Sequence, residues 1–410
     1  MNACLAGSSL VRLTVLALAW AGGSVSAPTA DLGQSTARTE SVVGLGRLSA
    51  RRNNAAASRT ASSHAATLES AGTESEPGPG LRRRTVVWLD TNACGGQPLR
   101  SLAQWAACRQ LILQRMQSVL GPLPGPERRC ALEPKIEQET DAGTFLRRLI
   151  SYQVEPGQRL KAYLLVPKRV LNEELRAPAV LALHQTHALG PALVVGLANS
   201  PDDEYGVELA QRGYVVLAPP YPLLGEYQPE LDRLGYQSGT MKAIWDNMRG
   251  LDLLSSLPFV KTDGFGVIGH SLGGHNGLFT AVFDERIQVV VSSCGLDSFL
   301  DYMDGDITGW TSGRYMPRLR AYKDRLEQVP FDFPEVLAAL APRACLISAP
   351  RGDTNFKWRS AAAVVQAARA VYALHGVPDR LQIEHPDCGH RFPPELRRRA
   401  YELLDAVLTR

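Results

Sequence analysis

The chain has 410 residues and no long apolar run beyond its first residues, so no later segment reads as a membrane-spanning helix. Net charge is almost absent: 44 Lys and Arg against 41 Asp and Glu leave +3. That is too little to imply a nucleic-acid partner, and no basic stripe with interleaved aromatics is present. The seven cysteines, Cys4, Cys94, Cys108, Cys130, Cys294, Cys345 and Cys388, contain no Cys-x-x-Cys pair, so zinc-type spacing is missing. No segment repeats. Aromatic residues make up 7% of the chain, and none falls between residues 28 and 84. That stretch, rich in Ala, Ser, Thr, Gly and Arg, cannot bury enough apolar surface to offset chain entropy.

What is present divides the chain in three. Leu10 to Ala21 is apolar except for Arg12 and Thr14, and Val25 and Ala27 fit the small-residue rule for secretory cleavage. The expectation is a signal peptide over 1–27 and a secreted or periplasmic mature protein. A disordered linker over 28–84 follows, ending in Glu-Pro-Gly-Pro-Gly, and a folded domain spans 85–410. Export would permit disulfides among Cys94, Cys108 and Cys130, whereas Cys294 and Cys345 sit in apolar segments and read as small core residues.

The folded part opens with an amphipathic pattern, Leu99 to Leu120, placing Leu102, Trp105, Cys108, Ile112, Met116 and Val119 on one helical face. Two extended segments, 144–154 and 160–167, flank a Glu-Pro-Gly-Gln turn. Short apolar runs then alternate with helical patterns. The runs are 179–183, 214–218, 265–269, 287–292, 344–348 and 381–384; the helices are 205–212, 240–256, 273–283, 356–374 and 394–408. Apolar runs without strict alternation belong in a sheet buried on both faces. This order predicts an α/β architecture, a mostly parallel central sheet with helices on both faces. Residues 295–333 break the rhythm and read as an insertion over the active site; their Tyr302, Trp310 and Tyr315 either roof a pocket or pack the insertion.

Gly269-His270-Ser271-Leu272-Gly273 is the motif that carries chemistry. Gly-x-Ser-x-Gly alone is weak, since a chain of this length carries it by chance about one time in ten. Here an apolar strand precedes it and a helical segment follows, the order a nucleophile elbow requires. A serine needs a base, and in that architecture the acid and then the histidine follow the serine in the chain. Asp353 comes just past the 344–348 run and His390 lies in the loop after the last one. Asp379 and Asp387 are rivals for the acid; His385 and His375 are rivals for the base. Backbone N–H groups of Leu272 and of the His184-Gln185-Thr186-His187 loop, with Thr186 preferred, would hold an oxyanion. Two histidines in that loop raise a metal reading, but no third ligand has suitable spacing, so no metal is expected.

The elbow with Gly274-His275-Asn276, the His184-Gln185-Thr186 loop, Ala218-Pro219-Pro220-Tyr221-Pro222, Asp353-Thr354-Asn355-Phe356 and Pro386-Asp387-Cys388-Gly389-His390 together resemble the dienelactone hydrolase-like and acetyl xylan esterase-like α/β-hydrolases. The likeness runs from about Leu99 to the C-terminus. It implies the α/β-hydrolase fold and a cofactor-free serine esterase acting on small or carbohydrate-borne acyl esters. The family's triad carries over onto Ser271, Asp353 and His390. Pro220 and Pro191 stand where similar sequences usually have Asp and Lys. True dienelactone hydrolases use a cysteine where Ser271 stands, which argues against dienelactone as substrate. A prolyl-oligopeptidase-like peptidase shares the fold and triad, but the ordered stretch before the sheet is short for its gating domain. A non-catalytic binding module on this fold would not need a complete triad.

Overall fold

The computed structural model describes residues 99–409. The expected signal peptide, the linker and Cys94 lie outside those residues. Among the described residues no helix is long and apolar enough to cross a membrane.

Among the described residues nine strands form one sheet: β1 (Lys135–Asp141), β2 (Phe145–Glu155), β3 (Gln158–Pro167), β4 (Ala177–Leu183), β5 (Val215–Ala218), β6 (Val260–His270), β7 (Ile287–Ser293), β8 (Ala344–Ser348) and β9 (Leu381–Glu384). Their spatial order is β1-β2-β3-β5-β4-β6-β7-β8-β9. The β5 to β9 side is parallel throughout, and β1 to β3 join it antiparallel. The order reverses at β4, where the chain moves from one side of the sheet to the other. In such sheets ligands collect outside the carboxyl ends of the strands near that reversal.

Among the described residues eight α-helices accompany the sheet: α1 (Leu102–Leu120), α2 (Lys168–Asn172), α3 (Tyr205–Arg212), α4 (Gly239–Ser256), α5 (Leu272–Phe283), α6 (Phe333–Ala338), α7 (Trp358–Leu374) and α8 (Pro394–Leu408). The central strands are buried on both faces. In β4, Ala179, Leu181 and Leu183 join the core built with α1, α4, α5, α6 and α7, while Val180 and Ala182 join the core built with α3 and α8. Burial on both sides removes the polar positions that would produce alternation, so these strands read as unbroken apolar runs.

Several boundaries differ from the sequence expectation. Helix α1 starts at Leu102 because the Ser101 side chain caps it, accepting from Gln104 N at 3.2 Å. Leu102 is therefore in the first turn and half exposed, whereas Trp105, Cys108, Ile112, Met116 and Val119 are buried as the periodicity requires. Strand β1 has no sequence signature: it is a charged, mostly exposed edge strand, and charge of that kind protects an open edge from further pairing. Cys108 is disulfide-bonded, and Cys130, Cys294, Cys345 and Cys388 are free.

Candidate active site

The turn between β6 and α5 is set by steric limits. Ser271 has φ 53° and ψ −118°, an uncommon conformation for a residue with a side chain. Its N–H donates to Ser293 O at 2.7 Å, tying the turn to the end of β7. A Cβ on Gly273 would lie 1.9 Å from Leu183 O, and one on Gly269 would lie 2.3 Å from the Gly273 backbone. Only glycine fits at either position. The serine thus stands at the carboxyl end of the sheet and at the N-terminus of α5, where first-turn N–H groups are unpaired and the helix dipole favours negative charge.

The loops after β8 and β9 reach its surroundings: Asn355 and Phe356 of the first line one cavity with Ser271, and His390 of the second packs on His270, the residue before the serine. His390 Nδ1 lies 2.9 Å and 3.0 Å from the two carboxylate oxygens of Asp353. The carboxylate also accepts from Asn355 N at 2.8 Å and Phe356 N at 3.1 Å through one oxygen. Burial works to raise the Asp353 pKa, but the hydrogen bond and charge of His390 and the two backbone donors outweigh it, and the net shift is downward. The loops are pinned to each other by Arg351 N to Pro386 O and Gly352 N to Cys388 O, both 3.0 Å. The rival groups lie elsewhere. Asp387 is exposed, and Asp379 sits in the short turn before β9. His385 Nδ1 is bonded to Ala349 O at 2.8 Å, and His375 caps α7.

A cavity of about 70 Å³ opens beside the serine, lined by residues that include Thr186, Ser271, Leu272, Trp310 and Tyr315. Leu272 is the first residue of α5, and neither its N–H nor that of Thr186 takes part in a backbone hydrogen bond among the described residues. Tyr302, Trp310 and Tyr315 all reach this cavity, and Trp310 also packs against Phe299 and Phe333. Aromatic residues of the 295–333 segment thus both line the cavity and pack against the core.

The fold has counterparts in known proteins. The sequence pattern of the prolyl oligopeptidase family matches residues 205–408. The Bacillus subtilis (strain 168) protein named "Putative hydrolase YtaP" is 26% identical over 304 residues, covering 71% of this chain and 96% of that protein. A glucuronoyl esterase from Solibacter usitatus superposes with a TM-score of 0.62 at 17% identity, over 78% of this chain and 96% of that one. A carbohydrate esterase family 15 glucuronoyl esterase from Caldicellulosiruptor kristjansonii gives a TM-score of 0.58 at 20% identity, over 77% and 88%. The chain has the α/β-hydrolase fold.

Several roles at this site were not assigned by sequence reasoning. His270 packs on His390 with ring centroids 4.9 Å apart, and its Nδ1 lies 3.1 Å from Ser293 Oγ. Burial pushes its pKa down to about 4, with the neighbouring His390 adding to the effect. His184 is fully enclosed and neutral, pushed down to about 4 by burial; its Nε2 accepts from Tyr221 N at 3.0 Å. It therefore braces the loop carrying Thr186. Tyr205 donates to Leu183 O at 2.5 Å, holding the strand end that abuts Gly273. Cys294 is more than a packed core residue. Its thiol lies within 4.8 Å of the ligand atoms of Asp353 and His390, and burial and then the Asp353 charge raise its pKa. Asp297, beyond the end of β7, accepts from Lys357 N at 3.0 Å and is pushed up to about 8 by burial. No local pattern distinguishes these residues from ordinary core, because each acts through a neighbour distant in sequence.

Proposed function

We propose that this α/β-hydrolase is a serine ester hydrolase in which Ser271 is the nucleophile, His390 the general base and Asp353 the orienting acid. The observation that carries the reading is the two-oxygen contact of Asp353 with His390 Nδ1, 2.9 and 3.0 Å, in a ring that packs 4.9 Å from His270, the residue before a serine held at a strained elbow. With Nδ1 engaged by a carboxylate, the proton stays on that nitrogen and Nε2 is left to accept the serine proton. Ser271 then attacks the ester carbonyl, and the N–H groups of Leu272 and Thr186 hold the oxyanion. His390 returns the proton to the leaving alcohol and activates water for deacylation, so no cofactor is needed.

Carbohydrate-borne acyl esters are the substrate class favoured by the likeness to glucuronoyl esterases with the same fold. The prolyl oligopeptidase match keeps a peptidase as the second reading. Against it, residues 99–176 contribute α1 and β1 to β3, which extend the hydrolase sheet and its core instead of forming a separate gating domain. The apolar run at Leu10 to Ala21 and the small residues after it favour export of the mature chain.

Fluorophosphonate labelling at Ser271, with turnover of p-nitrophenyl acetate exceeding that of a prolyl anilide, is the expected result. Labelling at another residue, or a preference for the anilide, would overturn the reading.

A further inference from the structure

Two residues that line the cavity beside Ser271 each carry a polar atom with no partner within the protein. His275 Nε2 and Trp310 Nε1 are buried and make no hydrogen bond. The residues are 2% and 4% exposed, and both line the same cavity as the serine. Their rings are 4.9 Å apart, so the two nitrogens belong to neighbouring groups on one wall. His275 follows Ser271 by four residues, one turn along α5, and helical side chains lean toward the N-terminus, which here means toward the serine. The hydroxyls of Thr186 and Tyr315, by contrast, are paired with each other at 2.9 Å.

Buried nitrogens left unpaired in a protein are uncommon, and in a binding cavity they mark where a ligand atom completes the bonding. Trp310 can only donate. Burial pushes His275 down to about 3, so its imidazole is neutral, and Nε2 either donates or accepts according to tautomer. A methyl group satisfies neither nitrogen. A carboxylate would meet no cation in this pair. A hydroxyl accepts from Trp310 and can donate to or accept from His275, so it suits both tautomers.

We propose that the pocket beside Ser271 takes a small hydroxyacyl group, whose hydroxyl pairs with Trp310 Nε1 and His275 Nε2. The inference rests on the ester-hydrolase reading and specifies its acyl group.

The test compares p-nitrophenyl glycolate with p-nitrophenyl propionate, which differ by a hydroxyl in place of a methyl. Each kcat/KM is divided by the spontaneous hydrolysis rate of the same ester. The glycolate should be preferred by about tenfold or more, since a site that bonds a substrate hydroxyl discriminates against the analogue lacking it. Trp310→Phe and His275→Phe should each reduce that ratio to within about threefold of unity. The ratio does not depend on how much of each variant folds. Equal handling of the two esters by the wild type, or an unchanged ratio in both variants, overturns the inference while leaving the hydrolase reading standing. Labelling of Ser271 without turnover of either ester overturns it as well. If neither ester is hydrolysed and Ser271 is not labelled, the hydrolase reading fails and the inference fails with it.

Discussion

At the scale of single residues, Asp353 and His390 illustrate how one contact sets a protonation state. The carboxylate is held below its ordinary 3.8 despite burial, because an imidazole and two backbone N–H groups all donate to it. Asp353→Asn keeps the shape but loses the charge that would stabilise an imidazolium, and it lets the wrong tautomer form. Turnover should fall by about 10²–10⁴-fold, while Asp387→Asn, at an exposed position, should stay within about threefold of wild type. Steady-state rates with circular dichroism as a folding check decide this; the opposite pattern would identify Asp387 as the acid. Ser271→Ala should lose at least about 10³-fold in turnover with the fold retained, and activity within tenfold of wild type would remove the nucleophile assignment.

At the scale of elements, the elbow is a packing problem solved by two glycines and one tyrosine. The Cβ of Gly273→Ala would meet the Leu183 carbonyl at 1.9 Å, and the obstacle is backbone, which cannot swing aside like a side chain. The variant should lose both activity and about 2 kcal/mol or more of stability, measured by urea unfolding. Tyr205→Phe removes the hydrogen bond to the same carbonyl, 2.5 Å in the native protein. It should cost about 1 kcal/mol or slightly more, since the carbonyl left behind is buried. If Gly273→Ala unfolds at the wild-type urea midpoint and remains active, strand β4 and helix α5 are not as tightly apposed as the structure indicates.

At the scale of the whole molecule, buried neutral histidines should govern acid sensitivity. Burial pushes His184 and His270 down to about 4 and His275 to about 3, from an ordinary 6.5. In the unfolded chain they take up protons near 6.5, and in the folded chain only near 3 to 4. Between those values the unfolded state binds more protons, so stability is full above 6.5 and falls as the pH falls. Each histidine contributes on the order of 1 kcal/mol or more to that loss. Urea unfolding at pH 7.5, 6 and 5 should show the decline, and His184→Asn should make it shallower. An identical slope in the variant would mean that His184 is protonated in the folded state at these pH values.

Strand–helix alternation and chain order were enough to predict the architecture, because period, length and the Gly-x-Ser-x-Gly turn are local properties of the backbone. They also marked Ser271, Asp353 and His390 as one candidate set, since strand ends on a parallel sheet share one edge. Edge strand β1 was illegible because an exposed edge needs no apolar face. Lys242, a charge on α4 that periodicity alone would leave in solvent, is fully buried 3.0 Å from Glu155 of β2. The pairing of His390 with Asp353 rather than another acid, the brace of His184 on Tyr221, the thiol of Cys294 beside Asp353 and His390, and the two unpaired nitrogens of residues that line the Ser271 cavity were decided only by tertiary structure. Each depends on the distance between segments that the chain brings together after tens to hundreds of residues, and a sequence specifies such distances only through the packing of the whole domain.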